Sequence, residues 1–245
     1  MLTDLTLEEI SAGLDAVVEE ILAQCRWEEP PVDAFSIAQA LGITVALDDC
    51  QSGRARYVRL SDRSTSRPMA TILLRFDPRL ERRQWAVAHE IGEHAAFHVF
   101  NRLGIDPCES SPRAREQIAN QLAGRLLIPS LWFDHDAAAL NWDLLALKGR
   151  YCTASHELIA RRMLECRPAV IITIFDQGRI TFRRGNLLGR IPPPSQAEWS
   201  CWRLVHEKNR PHEENDGLNS IQGWPVHEVD WKREILRYES AGWEE

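Results

Sequence analysis

Two stretches decide the reading of this chain: Ala88-His89-Glu90-Ile91-Gly92-Glu93-His94, and Glu116-Gln-Ile-Ala119-Asn120-Gln-Leu122-Ala123-Gly-Arg-Leu126-Leu127-Ile128-Pro129. A His-Glu-x-x-His helix places its two histidines about 40° apart on one face, where they chelate one metal ion, and the Glu stands beside the metal-bound water. Here the second histidine arrives one residue late. In a regular helix His89 and His94 diverge by about 140°, too far to share an ion. Two arrangements reconcile the spacing with a metal site. A one-residue π-bulge would bring His94 into line. Otherwise Glu93 fills the usual second-ligand slot and His94 faces elsewhere.

The second stretch supplies the third group. Glu116 and Asn120 lie one turn apart on a helical stripe. Ala119 and Ala123 are small enough for a neighbouring helix to approach closely. A carboxylate at Glu116 could complete a site with one open position for water, whereas on its own it would only favour the helix N-terminal dipole.

Together the two segments resemble the ImmA/IrrE family of zinc metallo-endopeptidases. The match runs through Ala88, His89, Glu90, Ile91 and Gly92, then Glu116, Ala119, Asn120, Ala123, Leu126, Leu127 and Pro129. Leu122 and Ile128 are mild departures. Upstream, Phe35-Ser-Ile-Ala-Gln-Ala-Leu-Gly-Ile-Thr-Val45 is similar to the family's helix–Gly–strand entry, and Asp143–Met163 to its helix-turn-helix-like segment. The main departure is Glu93, where the family carries its second histidine. Dipeptidyl peptidase III offers a precedent, a His-Glu-x-x-x-His zinc motif with a distant Glu. By that analogy His89, His94 and Glu116 bind zinc and Glu90 is the general base; Asn120 is positioned to orient Glu116 or a ligand histidine. The rival set is His89, Glu93 and Glu116, an oxygen-rich site less selective for zinc over iron or manganese.

The expected fold is α+β. The resemblance, over about residues 30–165, implies a zincin-like metallopeptidase domain taken as residues 1–167, with a helix-turn-helix-like segment at 141–165. Beyond Arg167-Pro168 the hairpin and helix signals read as a small C-terminal α+β domain over 168–245. The implied activity is intracellular, zinc-dependent hydrolysis of a peptide bond in a regulatory protein such as a helix-turn-helix repressor, in stress response or transcription control. The alternative is a catalytically inactive zincin-fold regulator or sensor that binds a protein partner or small ligand. His98, His135 and Tyr151 are candidate donors to the developing oxyanion, and the sequence does not choose among them.

Composition is consistent with this reading. In 245 residues, 29 Lys and Arg stand against 36 Asp and Glu, so the chain lacks the basic excess of a dedicated nucleic-acid binder. Arg161 and Arg162 could belong to a DNA-reading helix, but Asp143, Glu157 and Glu165 offset them, and direct nucleic-acid binding is not expected. No apolar run reaches membrane-span length and the first residues do not read as a secretory signal, so the expected location is cytoplasmic. Six cysteines form no CxxC pair, which fits reduced thiols.

The element pattern reads outward from the two stretches. Thr6-Leu-Glu-Glu9 is a capping box opening a first helix. A short helix over 32–41 leads through Gly42 into a strand at 43–47, and 54–60 with 69–76 reads as an antiparallel pair around a polar turn. Asp77-Pro78 predicts the start of a helix to about Arg102, and Ser111-Pro112 the start of one ending before Pro129. Beyond it come two helices, about 142–148 and 155–165. Residues 169–175 and 179–183 form a hairpin around Asp176-Gln-Gly178. Ser195-Gln-Ala-Glu198 opens a last helix, 208–216 is a charged loop, and the tryptophans at 199, 202, 224 and 231 belong to a small core.

Overall fold

The computed structural model describes residues 5–50, 53–60, 69–187, 189–215, 217–240 and 242. These form eight α-helices and two sheets, an α+β architecture. They group into two compact units, one of residues 1–136 with 150–155, the other of 137–149 with 156–245.

The first unit begins with α1 (Leu7–Gln24), where Thr6 and Glu9 form the expected capping box, and α2 (Ala34–Ala40), capped by Asp33. Leu14, Val17, Val18 and Leu22 recur at helical spacing and are buried, so one face of α1 belongs to the core. Three strands follow: β1 (Thr44–Leu47), β2 (Ala55–Leu60) and β3 (Met69–Leu74). Their order is β1-β3-β2, with β1 parallel and β2 antiparallel to the central β3. The polar turn expected between β2 and β3 falls at residues 61–68, outside the described residues.

Next come α3 (Leu80–Arg102) and α4 (Pro112–Leu127). Asp77 does not cap α3. Its carboxylate accepts from the Arg79 N–H at 2.9 Å in a turn leading into the helix, and Arg79 takes the cap position with no side-chain capping hydrogen bond. Gly104 closes the helix at φ +68°, a left-handed conformation suited to glycine. Ser111 caps α4 and Pro112 opens it, as their order predicts. The buried Gln84 of α3 accepts from the Ala34 N–H and donates to Asp33, each at 2.7 Å, fixing the start of α2 against α3. Arg125 of α4 reaches Asp15 and Ser11 of α1 at 2.9 and 2.7 Å.

A helix that the sequence reading omits, α5 (Ser130–Ala139), starts just after Pro129. Its segment Ser-Leu-Trp-Phe-Asp-His-Asp-Ala-Ala-Ala has no clear apolar stripe, so periodicity does not reveal it. The helix-turn-helix-like segment contains α6 (Leu144–Arg150) and α7 (His156–Arg162), then a 3-10 turn over Met163–Glu165. Arg161 pairs with Glu157 at 2.7 Å and lies 4.2 Å from the Phe182 ring centroid, and the buried Arg162 pairs with Glu165.

The second unit is built on a five-stranded sheet with β4 (Val170–Asp176), β5 (Arg179–Gly185), β6 (His212–Asn215), β7 (Asn219–Pro225) and β8 (Arg233–Ser240) in the order β5-β4-β8-β7-β6. All its pairings are antiparallel. Gln177 and Gly178 both have positive φ, the conformation required at a two-residue hairpin turn. Strand β6 lies within the stretch read as a charged loop. Its polar sequence His-Glu-Glu-Asn is tolerated because it is an edge strand. Helix α8 (Gln196–Lys208), opened by the Ser195–Glu198 capping box, packs Cys201 and Val205 into a core with Phe175, Ile221 and Leu236, with Trp202 and Tyr238 at its margin.

Candidate metal centre

Helix α3 presents His89 between two carboxylates. Its Nε2 lies 3.7 Å from Glu93 Oε1, one turn along the same helix, and 3.7 Å from Glu116 Oε2 on α4. The three donor atoms all lie within 4.8 Å of one another. Glu93 is four positions on from His89, so a regular helix puts both on one stripe.

His94 is not gathered with them. Helix α3 is α-helical throughout, and the bulge that would align His94 with His89 is absent. The packing explains why. Val87, Ile91, Ala95 and Val99 form a continuous buried stripe. One inserted residue would rotate the later members by about 100° out of the core. His94 instead stacks on the Tyr57 ring of β2, with centroids 5.1 Å apart and planes at 28°. Burial, helped by Arg59 and His98, pushes its pKa below the ordinary imidazole value.

Asn120 fixes the carboxylate of Glu116. Its amide donates to Glu116 Oε1 at 3.0 Å and to the Glu116 carbonyl at 2.9 Å, which leaves Oε2 facing His89. Such outer hydrogen bonds orient metal ligands.

Glu90 is buried beside this group, and its Oε2 accepts the backbone N–H of Tyr57 at 2.7 Å. Burial raises its pKa, with the charges of Glu93 and Glu116 acting in the same direction and the Tyr57 hydrogen bond and His89 against them. The role of Tyr57 was not legible in the sequence. Alternation at 54–60 marks a strand, but nothing local shows which residue of that strand lies over α3.

Of the other histidines and tyrosines considered from sequence, His98 packs its ring on Phe97, and His135 is exposed. Tyr151 is fully buried and donates to Asp136 Oδ2 at 2.7 Å, so its hydroxyl is committed to the core.

The donor set fits a divalent ion. Tetrahedral bonds of about 2.0–2.1 Å imply ligand–ligand edges of roughly 3.4 Å, and the two 3.7 Å separations are within a few tenths of that. His89 Nδ1 is buried without a hydrogen-bond partner among the described residues. The coordinating edge of the ring thus has two acidic neighbours, while its other nitrogen has none.

A helix carrying His-Glu, with a carboxylate supplied by the following helix and a small mixed sheet alongside, defines a zincin-like metallopeptidase domain. Residues 38–163, just over half of the chain, match the family Peptidase_M78, described as the IrrE N-terminal-like domain, and the chain belongs to that family. Among solved structures, a Mycobacterium tuberculosis transcriptional regulator aligns with a TM-score of 0.64 at 17% identity, over 93% of this chain and 76% of that one. At that identity the likeness concerns fold. No curated protein matched the chain. Among the described residues, no helix is long and apolar enough to cross a membrane.

Proposed function

We propose that this protein is a metal-dependent endopeptidase in which His89, Glu93 and Glu116 hold the ion, Glu90 is the general base and Asn120 positions Glu116. The observation that carries this reading is the convergence of His89, Glu93 and Glu116 next to a buried Glu90. Zinc, the ion the family resemblance implies, supplies when bound a Lewis acid for the scissile carbonyl and lowers the pKa of water to near neutrality.

The chain's own residues do the rest. Glu90 Oε2 is held by the Tyr57 N–H, so its other oxygen can accept a proton from water and return it to the leaving amine. Burial favours the protonated form needed midway through that transfer. Glu93 and Glu116 add two negative charges around one imidazole. This harder donor set discriminates less sharply in favour of zinc than two imidazoles would.

The proposed substrate is a regulatory protein inside the cell, such as a helix-turn-helix repressor. Family membership and the likeness to a transcriptional regulator support that setting. Arg161 and Arg162 both have acidic partners within the chain, which favours a structural role for the helix-turn-helix-like segment over direct DNA contact.

The test joins metal content with cleavage. Native-purified protein should carry bound metal and should cut peptides in a proteome-derived library, read by mass spectrometry. Glu90→Gln should keep the metal and lose cleavage. A second reading, a non-catalytic regulator, is favoured by Glu93 standing in the family's histidine position. Wild type that stays metal-free after zinc addition and cleaves nothing would establish that reading instead.

A further inference from the structure

The second unit contains a separate cluster of metal-ligating groups. Glu234, the second residue of β8, is fully buried. Its Oε1 lies 2.8 Å from His206 Nδ1 and 2.7 Å from His227 Nε2. These three donor atoms fall within 4.8 Å of one another. They come from three places in the chain: His206 from the last turn of α8, His227 from the β7–β8 connection, and Glu234 from β8.

We infer that His206, His227 and Glu234 form a second metal centre, independent of the peptidase-like site, that takes one exchangeable divalent ion of the zinc class.

Charge makes the first argument. A fully buried carboxylate is costly unless a positive charge accompanies it. Among the described residues, its ion-pair partners are these two imidazoles alone. Arg233, next in sequence, directs its guanidinium to Asp176 and Glu157 instead. A divalent ion held by the two imidazoles and the carboxylate would place a full positive charge beside this buried carboxylate. His206 also stands at the C-terminal end of α8, where the helix dipole favours a cation.

Geometry makes the second. Trp202 lies one turn before His206 on α8, and its indole N–H donates to Glu234 Oε2 at 3.0 Å. That bond fixes the carboxylate and turns Oε1 toward the histidines, the outer-shell arrangement that orients metal ligands. The loop carrying His227 is held as well. The Val226 N–H donates to the Arg233 carbonyl at 2.7 Å, and Glu228 and Trp231 form a bridge.

Two imidazoles and one carboxylate suit zinc, cobalt, nickel or ferrous iron better than magnesium or calcium. The present separations are those of hydrogen bonds. Opening them by roughly half an ångström reaches the edges of a tetrahedral zinc site. The His206 and His227 side chains are 29% and 13% exposed, so an ion can enter from solvent.

The test uses the full-length chain with His89→Ala and Glu116→Ala, which removes the first candidate site. After loading with zinc or cobalt(II), native mass spectrometry should show one bound ion, and cobalt should give visible d–d absorption. Adding His206→Ala or His227→Ala should abolish both signals while circular dichroism stays unchanged. If the His89→Ala/Glu116→Ala protein binds no ion, or if the histidine variants bind as it does, the inference is overturned and the cluster is a proton-bridged polar core. An effect of His227→Ala on the wild type that disappears in the His89→Ala/Glu116→Ala background would also overturn it, because the ion would then belong to the first site.

Discussion

Gly92 of α3 meets the backbone of Ala119 on α4 so closely that a Cβ at position 92 would lie 2.6 Å from the Ala119 carbonyl oxygen. This contact lies between His89 and Glu93 in sequence and one turn beyond Glu116. It sets the helix separation that brings Glu116 to His89. Gly92→Ala gains about 1 kcal/mol of helix propensity, but overpacking against backbone costs about 1–3 kcal/mol. The helices must move apart. The expected outcome is reduced metal content with a modest loss of stability, checked by mass spectrometry and urea denaturation; full metal occupancy would refute it.

Glu93 and His94 can be separated by substitution. Glu93→Ala should strip the metal from the first site, and Asn120→Ala should weaken metal affinity by about 10–100-fold. His94→Ala should retain the ion, because that ring stacks on Tyr57 instead of facing His89. Competition with a chelator gives the ranking. Loss of metal in His94→Ala with retention in Glu93→Ala would restore the bulged arrangement.

Glu90→Gln should lower the rate of cleavage by a factor of about 10²–10⁴, the range for losing a general base. Its amide can still be held by the Tyr57 N–H through the carbonyl oxygen, so fold and metal content should not change. Loss of metal from this variant would show that Glu90 is a ligand.

Asp136 should make the first unit sensitive to acid. Burial opposes its charge, but hydrogen bonds from Arg150 and Tyr151 outweigh burial and hold its pKa below the usual carboxylate value. A lowered folded-state pKa gives stability that is present above the unfolded value of about 3.9 and is lost as pH falls through the folded value. Asp136→Asn should therefore cost about 1–3 kcal/mol at pH 7, and the gap to wild type should narrow below about pH 4. Urea titrations at both pH values measure this; an equal gap at each would count against it.

Thiol chemistry probes the second unit. Burial pushes the Cys201 thiol up to about 12, so almost no thiolate forms at neutral pH. Cys50, Cys108 and Cys152 are exposed. Iodoacetamide labelling of native protein should modify these three and spare Cys201 until the chain is unfolded. Early labelling of Cys201 would mean that the α8 core opens.

The helices were legible wherever a local signal specified them. The capping boxes at Thr6 and Ser195 and the Ser111-Pro112 start each act within a few residues, and all three appear in the structure. Helix α5 has no such stripe, and β6 is polar because it borders the sheet, so neither stood out. The same limit applied at the site. Glu93 sits on the ligand face by helix geometry alone, whereas the association of Tyr57 with Glu90 joins residues 33 positions apart.

The sequence by itself determined the chemistry available to this protein: which residues can ligate an ion, and which helices carry them. Those properties depend on side-chain identity and on interactions spanning a turn or two. Tertiary structure decided which candidates meet. The buried stripe of α3 keeps the helix regular and so places Glu93, not His94, beside His89. Packing of α8 against the β7–β8 hairpin gathers His206, His227 and Glu234, whose chain positions carry no metal-binding pattern. Long-range packing selects one arrangement among those that local geometry permits, because burying apolar surface fixes each helix's rotation and separation more strongly than any single polar contact.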